Sequence, residues 1–296
     1  MKFEDRNLYM KIWEVDSPVA VLQIAHGMTE HIERYDRFAN YLNKHNIIVA
    51  GYDLRGHGHN SNNPVATFKE NGWKESIEDI HYFNDYLNQK YPSAPKFILG
   101  FSLGSFLVRD YLHDYNDNLN GAIIMGTGTQ PSIILSIIMK IVETQIKKNG
   151  FDNTTELVQK LSFDTYNSKF KPNKTKFDWL CSDELELNKY RNDQLCNDSI
   201  SSGLFHQLLD SMKRNSNSSI YKSWNKNIPI LLVSGEEDPV GDFKKGVLTL
   251  EKEMNKYLNN VELRLYKGRH DILHEESNQT AEHIRRLISE FILHSL

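Results

Sequence analysis

Short apolar runs rich in β-branched residues alternate along this chain with longer stretches whose apolar positions recur every three or four residues. The first kind predicts strands at 8–15, 19–25, 47–54, 96–99, 122–125, 228–234 and 261–266. The second predicts helices at about 35–44, 76–90, just after 102, 244–257 and from 281 onward. In the last of these Ile284, Leu287, Ile288 and Phe291 share one face, which is expected to pack on a sheet. Strands alternating with helices predict a mostly parallel α/β sheet. Only Asp16-Ser17-Pro18 separates the first two strands, so those two are expected to pair antiparallel.

The alternation stops between about 129 and 227, where the composition shifts to Asn, Ser and Lys with scattered helical segments. That stretch is too long for a plain loop, so a small helical subdomain is expected there. It enters and leaves beside the carboxyl ends of strands, which would set it over the sheet as a cap. The expected organisation is core at 1–128, cap at 129–227 and core again at 228–296. Within the cap, Ile133, Ile134, Leu135, Ile137, Ile138, Met139, Ile141 and Val142 make a segment apolar around most of its circumference. Two readings stay open: a lid helix that lines an acyl tunnel or touches a lipid surface transiently, or filling for the cap's own core.

Bulk properties narrow the class. The 296 residues are 39% apolar and 25% charged, with a net charge of −4 and no basic run, which argues against nucleic-acid partners. The opening residues lack the apolar core of a secretory leader, and the greasy run at 133–142 is half the length that spans a bilayer. Two cysteines, Cys181 and Cys196, are too few for a disulfide framework. The expectation is a cytoplasmic protein.

The chemistry concentrates at Gly100-Phe101-Ser102-Leu103-Gly104, set between a predicted strand and a predicted helix. Strand, G-x-S-x-G, helix describes a nucleophile elbow, a turn so tight that the serine hydroxyl stands out above the sheet. A serine needs a base to take its proton and an acid to orient that base, in chain order Ser, Asp/Glu, His. Downstream, the strand at 228–234 runs into an acidic turn with Glu236, Glu237, Asp238 and Asp242 as candidate acids. The strand at 261–266 runs into His270, the candidate base. His274 lies four residues later and would share a helical face with it, but no third ligand at suitable spacing argues for a metal site. Oxyanion donors are expected from the Leu103 amide, next after the nucleophile, and from Met28, which Gly27 would aim. His26 reads as a brace for that loop. The cluster at 51–59, glycines alternating with His57 and His59, reads as a tight turn whose polar side chains hold neighbouring loops.

With these residues assembled, the chain resembles the monoacylglycerol lipases and lysophospholipase-like esterases (serine aminopeptidase S33-type) of the α/β-hydrolase fold. His26-Gly-Met-Thr-Glu30-His31-x-x-Arg34-Tyr35 resembles their H-G-x-x-E-H-x-x-R-Y segment, and Asp53-x-Arg-Gly-His-Gly58 their D-x-R-G-H-G loop. Asp238-Pro-Val-Gly and Arg269-His270-Asp-Ile-Leu resemble their acid and histidine loops. The chain departs from the pattern at Ser105, where a second glycine is common, and at Asn60, where serine is usual.

The resemblance implies an eight-stranded, mostly parallel sheet flanked by helices, with a helical cap insertion. It selects Asp238 among the acids, giving Ser102, Asp238 and His270 as catalytic residues and Met28 and Leu103 as the oxyanion hole. It implies hydrolysis of carboxyl esters, monoacylglycerols or lysophospholipids first among them, through an acyl-enzyme, the substrate being a small ester or single-chain lipid, with no cofactor and no metal. A thioesterase, a peptidase or amidase, and a non-catalytic binding protein stand as alternatives. Epoxide hydrolases and dehalogenases of this fold need a carboxylate where Ser102 stands.

Overall fold

The computed structural model describes residues 2–3, 6–115 and 119–296. Met1, Glu4 and Asp5, part of the segment read above for a leader, lie outside the described residues. One large sheet of eight strands runs in the order β1-β2-β4-β3-β6-β7-β9-β10. Its strands are β1 (Lys2–Phe3), β2 (Leu8–Trp13), β3 (Ala20–Ala25), β4 (Ile47–Tyr52), β6 (Lys96–Phe101), β7 (Gly121–Met125), β9 (Ile230–Gly235) and β10 (Val261–Tyr266). From β4 to β10 every pairing is parallel, while β1 with β2 and β2 with β4 are antiparallel. A small parallel pair, β5 (Val65–Ala66) with β8 (Ser199–Ile200), was not evident in the sequence, because two-residue strands carry no periodicity.

The interior strands are buried at every position, as a parallel sheet covered on both faces requires. Helices α1 (Asp36–Asn43), α2 (Gly72–Lys90), α3 (Leu103–Asp114), α9 (Lys245–Met254) and α10 (Thr280–His294) flank them. On α10, Ile284, Ile288 and Ile292 are fully buried, and Leu287 and Phe291 pack against the same core from its margin. Helix α2 begins at Gly72, four residues before the expected start, with the buried Trp73 in its first turn.

The expected pairing of the first two strands is corrected. β4 lies between β2 and β3, antiparallel to the first and parallel to the second. β4 reads Ile-Ile-Val-Ala-Gly-Tyr and is buried throughout, so it needs a neighbour on each side. β2 alternates buried and half-buried positions and suits the outer place. The Val19 amide, just before β3, bonds the carbonyl of Asn46, just before β4, which sets the start of that pair.

Between β7 and β9 the regular structure is helical apart from β8: α4 (Ser132–Asn149), short turns including α5 (Glu156–Gln159) and α6 (Thr165–Asn167), α7 (Glu184–Asn192) and α8 (Ser202–Asn215). α4 packs along α8. The apolar segment divides between a buried and an exposed face of α4. Leu135, Met139 and Val142 are buried, whereas Ile133, Ile134 and Ile137 are at least half exposed. Among the described residues no helix is long and apolar enough to cross a membrane.

Candidate active site

Strand β6 ends at Phe101 and helix α3 begins at Leu103, so Ser102 alone makes the turn. Its backbone sits at φ +51°, ψ −116°, outside the regions that L-residues favour. The turn closes because its flanking glycines have no side chain. A Cβ on Gly104 would lie 2.0 Å from the Ala25 carbonyl oxygen, and one on Gly100 would lie 2.4 Å from that of Gly104. The Ser102 amide bonds the Met125 carbonyl, and the Ser105 hydroxyl caps the Ser102 carbonyl at 2.6 Å. Ser105 is fully buried, so the serine in place of glycine is accommodated and takes a structural bond.

The predicted residues converge on that hydroxyl. His270 Nε2 lies 2.8 Å from Ser102 Oγ, and His270 Nδ1 lies 2.9 Å from Asp238 Oδ1. A carboxylate only accepts, so the proton sits on Nδ1 and leaves the Nε2 lone pair to receive the serine hydrogen. Asp238 and His270 are buried, and Oδ1 of Asp238 is further fixed by the Val240 amide. Among the described residues none of the rival acids bonds the imidazole, although Asp242 borders the hollow at Ser102. Glu236 pairs with Lys244, and Glu237 and Asp242 are exposed. His274 does not share a helical face with His270. It ends a short 3₁₀ turn, with Nδ1 on Asp271 and Nε2 on the Arg34 carbonyl.

Met28 and Leu103 both border the cavity at Ser102, and among the described residues neither amide has a hydrogen-bond partner. The loop carrying Met28 is held from several directions. Glu30 is buried, accepts the Gly27 amide at 2.6 Å and the Tyr35 hydroxyl at 2.9 Å, and pairs with Arg34. Arg34 in turn holds Asp271, the residue after the base. Burial alone would raise the Asp271 carboxyl, but the neighbouring His274 and Arg34 outweigh it and hold the group far below the usual carboxylate range. This network escaped the sequence reading. The H-x-x-x-E-H-x-x-R-Y spacing carried the signal, yet sequence alone gave Glu30 and Arg34 no role.

His26 is the brace that was expected. Its Nδ1–H donates to the Gly27 carbonyl and its Nε2 accepts the Leu54 amide, each at 2.8 Å. The turn at 51–59 is also a brace: Asp53 accepts the amides of Ile32 and His59. Burial pushes His26 down to about 4, and burial followed by the charge of His26 pushes His57 down to about 3. Both stay neutral in the folded protein while the unfolded chain takes up protons from about pH 6.5 downward. Stability is therefore complete above that pH and lost as pH falls. Urea denaturation should show a loss of roughly 2 kcal/mol per histidine between pH 7 and pH 5. An unchanged unfolding free energy over that interval would refute the buried neutral pair.

A third cluster joins this loop to the insertion. His31 Nε2 bonds Asp193 at 2.9 Å, and Cys196 brings a third ligand-type atom within 4.8 Å of both. Burial raises the Cys196 thiol far above its ordinary range, and the Arg34 cation acts on both Cys196 and Asp193. A protonated thiol beside a guanidinium is a poor cation site, so the cluster reads as a tie.

Two hollows meet at Ser102. One of about 250 Å³ is mainly apolar, bordered by Phe106, Ile134, Leu135, Ile138, Leu208 and Met212 among others. The other is small, about 30 Å³, and is bordered by Glu30, Arg34, Tyr190 and Trp179. Phe101, Phe163, Phe177 and Leu180 also border the small hollow, so both spaces beside the nucleophile are mainly apolar, with Glu30 and Arg34 as the charged groups at the smaller one. A family model described as serine aminopeptidase, S33 matches residues 16–277. The chain belongs to that family. The "Monoglyceride lipase homolog" of Monkeypox virus is 26% identical over 295 residues, covering 96% of this chain and 94% of that protein. The "Monoglyceride lipase" of Rattus norvegicus is 20% identical, covering 98% and 88%. Among solved structures, a "Lipase (Open form)" superposes with a TM-score of 0.88 at 24% identity, covering 97% of this chain and 94% of that one. A carboxyl esterase from Bacillus coagulans in complex with glycerol gives 0.84 at 22%, covering 99% and 97%. These structures share the fold of this S33-family chain, an α/β-hydrolase fold.

Proposed function

We propose that this S33-family protein is a carboxylic ester hydrolase whose substrates are monoacylglycerols, with Ser102, His270 and Asp238 as its catalytic triad. The observation that carries the proposal is the unbroken chain of hydrogen bonds from Asp238 through His270 to Ser102 at the junction of two mainly apolar hollows. Ser102 Oγ attacks the ester carbonyl as its proton passes to His270 Nε2. The Met28 and Leu103 amides receive the oxyanion. His270 then protonates the departing alcohol, and water attacks the acyl-enzyme by the same route.

The substrate follows from the two hollows. The larger one suits an acyl chain. The smaller one is bordered by Phe101, Phe163, Phe177 and Trp179, and its charged groups are already paired, Glu30 with Arg34 and Arg34 with Asp271. With those charges engaged, an uncharged glycerol is the expected alcohol in preference to a lysophospholipid headgroup. The names of the viral and rat relatives point the same way.

In this proposal residues 129–227 act as the cap over a core made of 1–128 and 228–296. The exposed isoleucines of α4 make transient contact with the lipid surface that presents the substrate. A cytoplasmic location is part of the proposal and rests on two unpaired thiols. The deciding experiment compares turnover of glyceryl and p-nitrophenyl esters from acetyl to oleoyl, beside lysophosphatidylcholine, acyl-CoA and peptide anilides. The expected order has medium- and long-chain glyceryl esters at least tenfold above every other class in kcat/KM. Activity confined to acetyl esters, or a preference for acyl-CoA or anilide, would overturn the substrate reading.

A further inference from the structure

We infer that Trp179, carried by the insertion between β7 and β9, is part of the catalytic device: its ring stabilises the imidazolium that His270 becomes during each proton transfer. The inference rests on the triad proposed above. The centroids of the Trp179 and His270 rings are 5.0 Å apart, with an interplanar angle of 33°. Phe101 stands at the same 5.0 Å and 36°. Among the described residues Phe101 and Trp179 make no ring contact with each other, so they approach the imidazole from different directions. Gly126 also approaches the ring, where a Cβ would lie 3.0 Å from His270 Cε1. The imidazole therefore has Asp238 on one nitrogen, Ser102 on the other and aromatic surface around its ring.

Trp179 is fixed as firmly as a residue of the core. It is 6% exposed, its amide bonds Asn167 Oδ1, and Phe163 stacks on its ring at 5.8 Å. The segment around it is tied to the histidine loop. The His270 amide bonds the Trp179 carbonyl, the Asp271 amide bonds that of Leu180, and Arg269 reaches the carbonyls of Asp178 and Cys181. From the other direction, buried Glu275 accepts the amides of Ser182 and Arg269. Ring and base are thus held at a fixed separation.

An aromatic face within about 6 Å attracts a cation, and more strongly where water is excluded. Neutral His270 gains little from the contact and imidazolium gains more. The charged and titratable groups around His270 are Asp238 on its Nδ1, Asp271 held by Arg34 and His274, Arg269 lying over Phe170, Glu275 capped by amides, and Tyr166, which burial and then Asp238 keep protonated. Of these, Tyr166 also packs against Trp179, its ring centroid 5.3 Å away, so a replacement that keeps the shape at 179 is needed to separate the ring's face from its packing.

The test uses the full-length protein and p-nitrophenyl acetate, whose acyl group is too short to depend on the larger hollow. In Trp179→Leu the acidic limb of the kcat/KM–pH profile should move down by about half to one unit, because the imidazolium has lost support, and the plateau should fall about 3- to 30-fold. Trp179→Phe should restore most of both. Should the leucine variant fold poorly, biosynthetic replacement by fluorinated tryptophans keeps the shape and weakens the ring's face stepwise. The limb should then step down with each added fluorine, and Trp179 is the tryptophan in ring contact with His270. An acidic limb that stays in place through the leucine variant or the fluorinated series would overturn the inference. Loss of the triad reading would look different: Ser102→Ala would retain activity whatever stands at 179.

Discussion

Replacing Ser102 by alanine is expected to lower kcat for ester hydrolysis by about 10⁵- to 10⁶-fold while substrate still binds and the fold is kept. The size follows from the proposed role: without the hydroxyl no acyl-enzyme would form, and the amides of Met28 and Leu103, as the proposed oxyanion donors, would retain only a residual acceleration. The fold should survive because the strain at φ +51° belongs to the backbone, and alanine carries the same Cβ. The Ser102 side chain gives its one described hydrogen bond to His270, which loses only that partner. Circular dichroism and the denaturation midpoint should match the parent protein. A kcat within a hundredfold of wild type, in protein shown free of the parent enzyme, would rule out Ser102 as the nucleophile.

The second large effect belongs to Asp238. Asp238→Asn should reduce kcat about 10⁴-fold with KM little changed. The carboxylate can only accept, which keeps the His270 proton on Nδ1 and the Nε2 lone pair facing Ser102 Oγ. An amide can offer its NH₂ to Nδ1 instead, and the imidazole then presents N–H to the serine and cannot take its proton. Glu236→Gln, Glu237→Gln and Asp242→Asn should each stay within about threefold of wild type, because none bonds His270: Glu236 pairs with Lys244, Glu237 is exposed, and Asp242 is exposed at the border of the larger hollow. If Glu237→Gln were the damaging change and Asp238→Asn were mild, the assignment of the acid would be wrong. The comparison also separates tautomer control from simple packing, since asparagine fills the same buried space.

What could be read from the sequence divides along a physical line. Ser102 was legible because the elbow is local: its strand, its two close-packed glycines and its helix all lie within a few consecutive residues. His270 and Asp238 were legible as loops at the ends of apolar strands, although choosing Asp238 over Glu236, Glu237 and Asp242 needed the family resemblance. The pairing of β2 with β3 was misread because a short turn favours a hairpin, and nothing local says that the fully apolar β4 will be inserted between them. The same limit hid β5 with β8, whose strands are more than a hundred residues apart in sequence. Trp179 had no signal at all. It meets His270 across a gap of ninety residues through backbone bonds that any sequence could make. Glu30 and Arg34 stood in a quoted motif, but their work, bonding Gly27, Tyr35 and Asp271, appears only when three loops are brought together.

The account depends on an acyl group passing through one serine, and mass spectrometry can observe that directly. The protein is mixed with a monooleoylglycerol dispersion, quenched in acid during turnover and digested, and the peptides are searched for an added oleoyl group. The account predicts the acyl mass on Ser102, present in wild-type protein and absent from Ser102→Ala. Steady hydrolysis with the acyl mass on another residue, or with none on Ser102 at any quench time in a variant slowed at deacylation, would contradict it.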